Sequence, residues 1–195
     1  MTGHGVSVCV FCASSVGIDP AYVDLASEVG RRLGQSGHRL VSGGGRVSMM
    51  GAVATTARAY GAKTIGVIPR HLMQAEVADL DADELLVVDT MRERKALMDA
   101  HAEVFLVLPG GIGTMEEFFE VWTAGSLGMH PKPVIVLDHE DFFAPLWQFV
   151  ESLLDRGFVR AQAWQDLHRV ATVEQAFALI EAIGSTDVSP ACQDR

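Results

Sequence analysis

The sequence predicts an α/β fold in which one parallel sheet is covered by helices on both faces. Short, almost continuously apolar runs alternate with longer helical patterns from one end of the chain to the other. Runs of that kind suit strands buried on two sides, joined by crossover helices. At 195 residues, 49% hydrophobic and 21% charged, the chain has room for one full core and no composition of disorder. Gly or Ser clusters follow three of the four apolar runs that end where such sheets bind ligands, outside their carboxyl ends.

The elements follow in order. Val6 to Phe11 is a buried strand. Asp19-Pro20 starts a helix, with Asp as cap and Pro at the first helical position. Tyr22, Leu25, Ala26, Val29 and Leu33 form its apolar face, and Gly37 ends it. Arg39 to Ser42 is a short strand before Gly43-Gly44-Gly45, and Met49 to Tyr60 is a close-packing helix of small residues. Lys63 to Ile68 is a strand that Pro69 stops. Gln74 to Asp83 reads as an acidic loop, and Glu84 to Val88 as a strand.

Met91 to His101 is a helix, Glu103 to Leu108 a strand, and Ile112 to Leu127 the next helix. Pro133 to Leu137 is a strand, Asp141 to Arg156 a helix, and His168 to Ala171 strand-like. Thr172 caps a last helix with Ala176, Leu179, Ile180 and Ile183 as its stripe. Residues 1–184 thus form a single domain without repeat or linker, and 185–195 a flexible tail.

Charge and cysteine usage exclude several classes. A net charge of −10 argues against a nucleic-acid partner, which needs clustered Lys and Arg. Cys9 and Cys12 form a CxxC, but within a strand, where residues three apart face opposite ways. Two structural thiols are the better reading than a redox or metal pair. The seven His are scattered, and no cluster has metal-ligand spacing. The start lacks a signal-peptide pattern, and no apolar run reaches the roughly 18 residues of a membrane span. A reducing cytoplasm is the expected location.

The chemistry concentrates in PGGIGTMEE, Pro109 to Glu117. A buried strand runs into a glycine turn and then a helix, which aims backbone N–H groups and a positive dipole end at one point. That is a phosphate site with carboxylates beside it. Glu116 and Glu117 lie about 100° apart around a helix, so at most one faces the site directly. Ser14 and Ser15 can hydrogen-bond a ribose or phosphate; Ser is equally common in plain turns. The Ser42-Gly43-Gly44-Gly45 turn permits close backbone approach, yet is neither GxGxxG nor the P-loop pattern. In Met91-Arg92-Glu93-Arg94-Lys95, Arg92 and Lys95 share a helix side and Arg94 points elsewhere.

Arg94-Lys95 followed by PGGIGTMEE resembles the LOG ("Lonely guy") family of cytokinin riboside 5′-monophosphate phosphoribohydrolases, often labelled lysine decarboxylases. The signature PGGxGTxxE is matched without a break, and the resemblance runs from about Val6 to Ile183. It implies a Rossmann-like sheet, a homodimer with active sites near the subunit contact, and a small nucleotide substrate. The implied reaction releases a free base and ribose 5-phosphate with no metal or cofactor. Arg94 and Glu116 match the catalytic pair, and Gly110, Gly111, Ile112, Gly113 and Thr114 the phosphate cradle, with Glu117 beside it. Lys95, Glu76 and Thr123 match substrate positions, and Ser14 and Gly44 line the pocket. Two departures touch the base pocket: Ser48-Met49-Met50-Gly51 replaces Gly-Leu-Met-Gly, and Ser42 stands where Tyr is common. Pyridoxal phosphate chemistry is disfavoured, because Lys63, Lys95 and Lys132 sit in no Schiff-base motif. The rival on this architecture is a non-catalytic nucleotide or molybdenum-cofactor carrier, which would need the phosphate site but no placed carboxylate.

Overall fold

The computed structural model describes residues 5–186. Seven strands form one sheet in the order β4-β3-β2-β1-β5-β6-β7, and every pairing is parallel. They are β1 (Ser7–Phe11), β2 (Arg39–Ser42), β3 (Thr64–Pro69), β4 (Glu84–Val88), β5 (Val104–Val107), β6 (Val134–Leu137) and β7 (Leu167–Val170). The chain winds outward from β1 to β4, then returns to place β5 on the other side of β1. This makes the gap between β1 and β5 the switch point of the sheet, where ligands of open parallel sheets bind.

Helices α1 (Pro20–Gln35), α2 (Ser48–Ala59) and α7 (Val173–Thr186) cover one face. Helices α3 (Met91–His101), α4 (Ile112–Ser126), α5 (Ala144–Asp155) and α6 (Ala161–Gln165) cover the other. Alternate residues of β1 feed the two cores: Val8, Val10 and Cys12 on the first side, Cys9 and Phe11 on the second. Cys9 and Cys12 are therefore free, buried and on opposite faces. Burial pushes the thiols of both well up, which removes thiolate chemistry.

Local signals explain the ends of the elements. Asp19 caps α1 by accepting from Ala21 N (3.0 Å). Thr90 and Glu93 form a reciprocal capping box at the start of α3. Pro69 closes β3 but still pairs in register with Val88. The helix expected from Asp141 begins only at Ala144, because Glu140 and Asp141 hold φ of +52° and +57°. Asp138 fixes that start by accepting from Phe143 N (2.8 Å) and Trp147 Nε1 (2.6 Å). Helix α6 is too short for a periodic signal; it seats Trp164 against Trp122 and Trp147, and Trp122 Nε1 donates to Ala163 O (2.9 Å). Of the expected tail, residues 185–186 complete α7 and 187–195 lie outside the described residues, as does Cys192. Among the described residues no helix is long and apolar enough to cross a membrane.

Candidate active site

The ends of β1 and β5 are laced together. Leu108 N donates to Phe11 O (2.9 Å) and Ala13 N to Pro109 O (3.3 Å). A cavity of about 200 Å³ opens above them. Ser14 and Ser15 enter it from β1, Gly111 to Thr114 and both glutamates from the start of α4, Arg94 from α3, and Glu76 from the loop after β3.

Gly111 caps α4 with no side-chain hydrogen bond, and the first helical bond runs from Met115 N to Gly111 O (3.0 Å). The N–H groups of Ile112, Gly113 and Thr114 therefore remain available to an anion. Gly110 is required by close packing: a Cβ there would lie 2.2 Å from Thr114 Oγ1. Thr114 is itself buried, so it braces the turn as well as lining the cavity.

Arg94 is a buried cation. Its Nη2 donates to Gly43 O (2.9 Å) and to Glu76 Oε2 (3.1 Å), and its Nη1 lies 3.9 Å from Met91 Sδ. Its Nε is buried with no partner among the described residues. A planar fork held on one side by carbonyl and carboxylate keeps donors over for an oxyanion.

The two glutamates separate. Glu116 is half exposed at the rim, where it and Glu120 both pair with Lys95. Glu117, one residue on, turns inward beside Arg94. Burial is the first cause raising its carboxyl to about 7, with Glu116 and Glu76 adding and Arg94 and Lys95 opposing. The spacing of α4 accounts for this. Thr114, Phe118 and Val121 mark its buried face, and Glu117 shares it at i+3 from Thr114 and i−4 from Val121. The final Glu of the PGGxGTxxE signature, counted from Pro109, is also Glu117. The inward carboxylate of the pair is thus Glu117; the resemblance matches Glu116 to the catalytic pair, and helix geometry alone says only that one of the two faces inward.

Three other residues sit differently from expectation. Gly44, at φ +73°, backs onto β3, where a Cβ would lie 3.1 Å from Val67 N. Its neighbour Gly43 faces the cavity instead. Lys95 and Thr123 line an adjoining groove of about 800 Å³ between α3 and α4, which shares Phe11, Met98, Glu116 and Glu117 with the cavity. Met50, Leu72, Met91 and Met98 complete the cavity wall; scattered apolar residues on three segments carry no sequence signal for that. No lysine lines the cavity: Lys63 pairs with Asp83 and Lys132 with Asp99. The residues present do not fit a pyridoxal phosphate site.

A parallel sheet with an open helix N-terminus, a buried arginine and a partly buried carboxylate at its switch point defines a Rossmann-like α/β protein with a candidate anion site. Comparison narrows the class. Residues 50–180 match the family described as "Possible lysine decarboxylase". The chain is 47% identical over 170 residues to the cytokinin riboside 5′-monophosphate phosphoribohydrolase of Mycobacterium tuberculosis, covering 87% of this chain and 90% of that one. It is 38% identical over 174 residues to the phosphoribohydrolase LOG of Oryza sativa subsp. japonica, covering 89% and 72%. The chain belongs to this LOG family. The molybdenum cofactor binding protein of Rippkaea orientalis shares the fold, with a TM-score of 0.71 at 19% identity over 92% of this chain and 98% of that one.

Proposed function

We propose that this protein hydrolyses the N-glycosidic bond of cytokinin riboside 5′-monophosphates, releasing the free base and ribose 5-phosphate. The observation that carries the reading is Glu117: a carboxyl raised to about 7, placed with Arg94 beneath an open helix N-terminus. The relatives' names support the same reaction.

The 5′-phosphate binds at the N–H groups of Ile112 to Thr114, with Ser14 and Ser15 at hand. Binding there orients the sugar, so remote binding energy serves the reacting centre. As the C1′–N bond breaks, its electron pair leaves with the base and positive charge grows on the ribose. Ionised Glu117 stabilises that charge and accepts a proton from the attacking water, whose oxygen bonds C1′. Glu117 then yields that proton, which the departing base nitrogen takes up through solvent, so one water is consumed and the carboxylate is restored. Arg94 holds the ribose or phosphate through its unfilled donors.

The cavity alone, at about 200 Å³, is smaller than the roughly 300–1,000 Å³ typical of ligand pockets. The contiguous α3–α4 groove supplies room for the base, with Thr123 and Lys95 along it. The groove carries exposed apolar residues, Phe119, Leu127 and Met129. A second copy of this chain covers it in the homodimer we infer.

The test is base release from isopentenyladenosine 5′-monophosphate and from AMP, by the parent and by Glu117→Gln. Release by the parent that is lost in the variant supports the hydrolase, and the ratio of the two rates reports the base preference. Nucleotide binding without turnover would move the assignment to a non-catalytic carrier, the alternative known on this fold.

A further inference from the structure

The loop that the sequence marks as acidic is a docked strap. It joins β3 to β4 and carries four acids, each paired with a base on a different element. Glu76 meets Arg94 of α3 (3.1 Å), Asp79 meets Arg58 of α2 (2.7 Å), Asp81 meets Arg46 after the glycine turn (2.9 Å), and Asp83 meets Lys63 beside β3 (2.8 Å).

Asp79 is the most buried of the four, with a side chain 3% exposed. Both its oxygens accept from the Arg58 fork, at 2.7 and 3.0 Å. That is the bidentate geometry in which an Arg–carboxylate pair holds position as well as charge. Its backbone N–H donates to Gly44 O (2.8 Å), and Arg46 N donates back to Glu76 O (2.9 Å). A bridge between Gly45 and Ala78 completes the attachment.

Between Glu76 and Asp79 lies Val77, at φ +48° and half exposed. A β-branched residue in the left-handed region is strained and persists only where its surroundings over-determine it. The Asp79 anchor and the glycine turn are those surroundings. Neither Arg58 nor Asp79 lines the cavity or the groove.

We propose that Asp79, clamped by Arg58, is a positioning residue for the reaction: it locks the strained Val77 turn that delivers Glu76 to the Arg94 guanidinium. The inference rests on the hydrolase reading, because it assigns a purpose to the orientation of Arg94. Without the clamp, Val77 relaxes to a negative φ and swings Glu76 off Arg94. The fork then loses one of its two oxygen acceptors.

The test is a double-mutant cycle, which isolates action through a second residue from general loss of packing. Asp79→Asn is expected to lower kcat/KM at least tenfold in the parent and less than twofold in a Glu76→Gln background. An equal drop in both backgrounds would overturn the proposal. Arg58→Lys keeps the charge but not the fork, and is expected to show a smaller loss that also vanishes with Glu76→Gln; it serves if Asp79→Asn does not fold.

A second readout needs no substrate. Amide hydrogen exchange at Ala78 and Asp79 is expected to quicken at least tenfold in Arg58→Lys, with protection in β1 and β5 unchanged. Unaltered exchange would sink the clamp. If the parent releases no base, the hydrolase reading fails by itself, and exchange still decides whether the pair holds the turn.

Discussion

Glu117→Gln should make the protein more stable and inactive at once. In the folded chain this carboxyl is raised from 4.5 to about 7, chiefly by burial. That displacement corresponds to roughly 3 kcal/mol. The sign follows from proton binding. Between about pH 4.5 and 7 the folded state holds a proton that the unfolded state has released, so stability falls as pH rises through this window. Below it the carboxyl costs little; above it the full cost stands. Glutamine is nearly isosteric and never ionises. The variant should therefore gain about 1 kcal/mol over the parent at pH 5 and about 3 kcal/mol at pH 8. Urea unfolding at the two pH values measures the difference. Turnover should fall by about 10²-fold or more in the same variant. The parent's kcat/KM should rise with pH along an acid limb with its midpoint near 7. A gain in stability that does not change with pH, or a loss at pH 8, would refute the assignment of Glu117 as the desolvated carboxylate of the site.

Three further outcomes are expected. Gly43→Ala places a Cβ 1.9 Å from Arg94 Nη2 and 3.0 Å from Met50 Cε, so the guanidinium must leave its seat. A displacement of that size should cost on the order of 10²-fold in kcat/KM with a Tm close to the parent's; full activity would show that Arg94 need not sit there. His38 is buried, accepts from Val6 N (3.1 Å), and is held below the usual histidine range by burial. Stability should therefore drop as pH falls below about 6.5, and His38→Gln should flatten that drop in urea unfolding series, by at most about 1.4 kcal/mol per pH unit. Leu127→Glu adds a charge to the exposed apolar wall of the α3–α4 groove. Sedimentation velocity should show the variant as a monomer, and an unchanged dimer would place the subunit contact elsewhere.

The sheet was legible because its central strands are buried on both faces, and burial on both faces writes itself as unbroken apolar runs such as Val104 to Leu108. The caps at Asp19 and Thr172 were legible for a similar reason, since each is a short-range bond between neighbours in sequence. Helix α6 was not, because five residues cannot display a period and its place is set by a distant Trp cluster. The strap was visible as acidic composition and invisible as structure. Its four partners, Arg94, Arg58, Arg46 and Lys63, are spread over four segments of chain, and nothing local says that they converge.

The glutamate pair shows what a periodic reading can and cannot decide. Glu116 and Glu117 are adjacent, equally charged and in the same turn, so composition and motif proximity treat them alike. The buried face of α4 separates them. Thr114, Phe118 and Val121 define an inward stripe whose spacing includes position 117 and excludes 116. On the outer side, Lys95 gathers Glu116 and Glu120, one turn apart, and holds the Glu116 carboxylate at the rim. A helix that sets one carboxylate at the rim against a lysine and the next over a largely desolvated floor gives two identical side chains different surroundings. That division lets a strongly acidic protein keep one carboxyl titrating near neutrality beneath an open helix N-terminus, where the proposed reaction needs a group that holds a proton and releases it within a turnover.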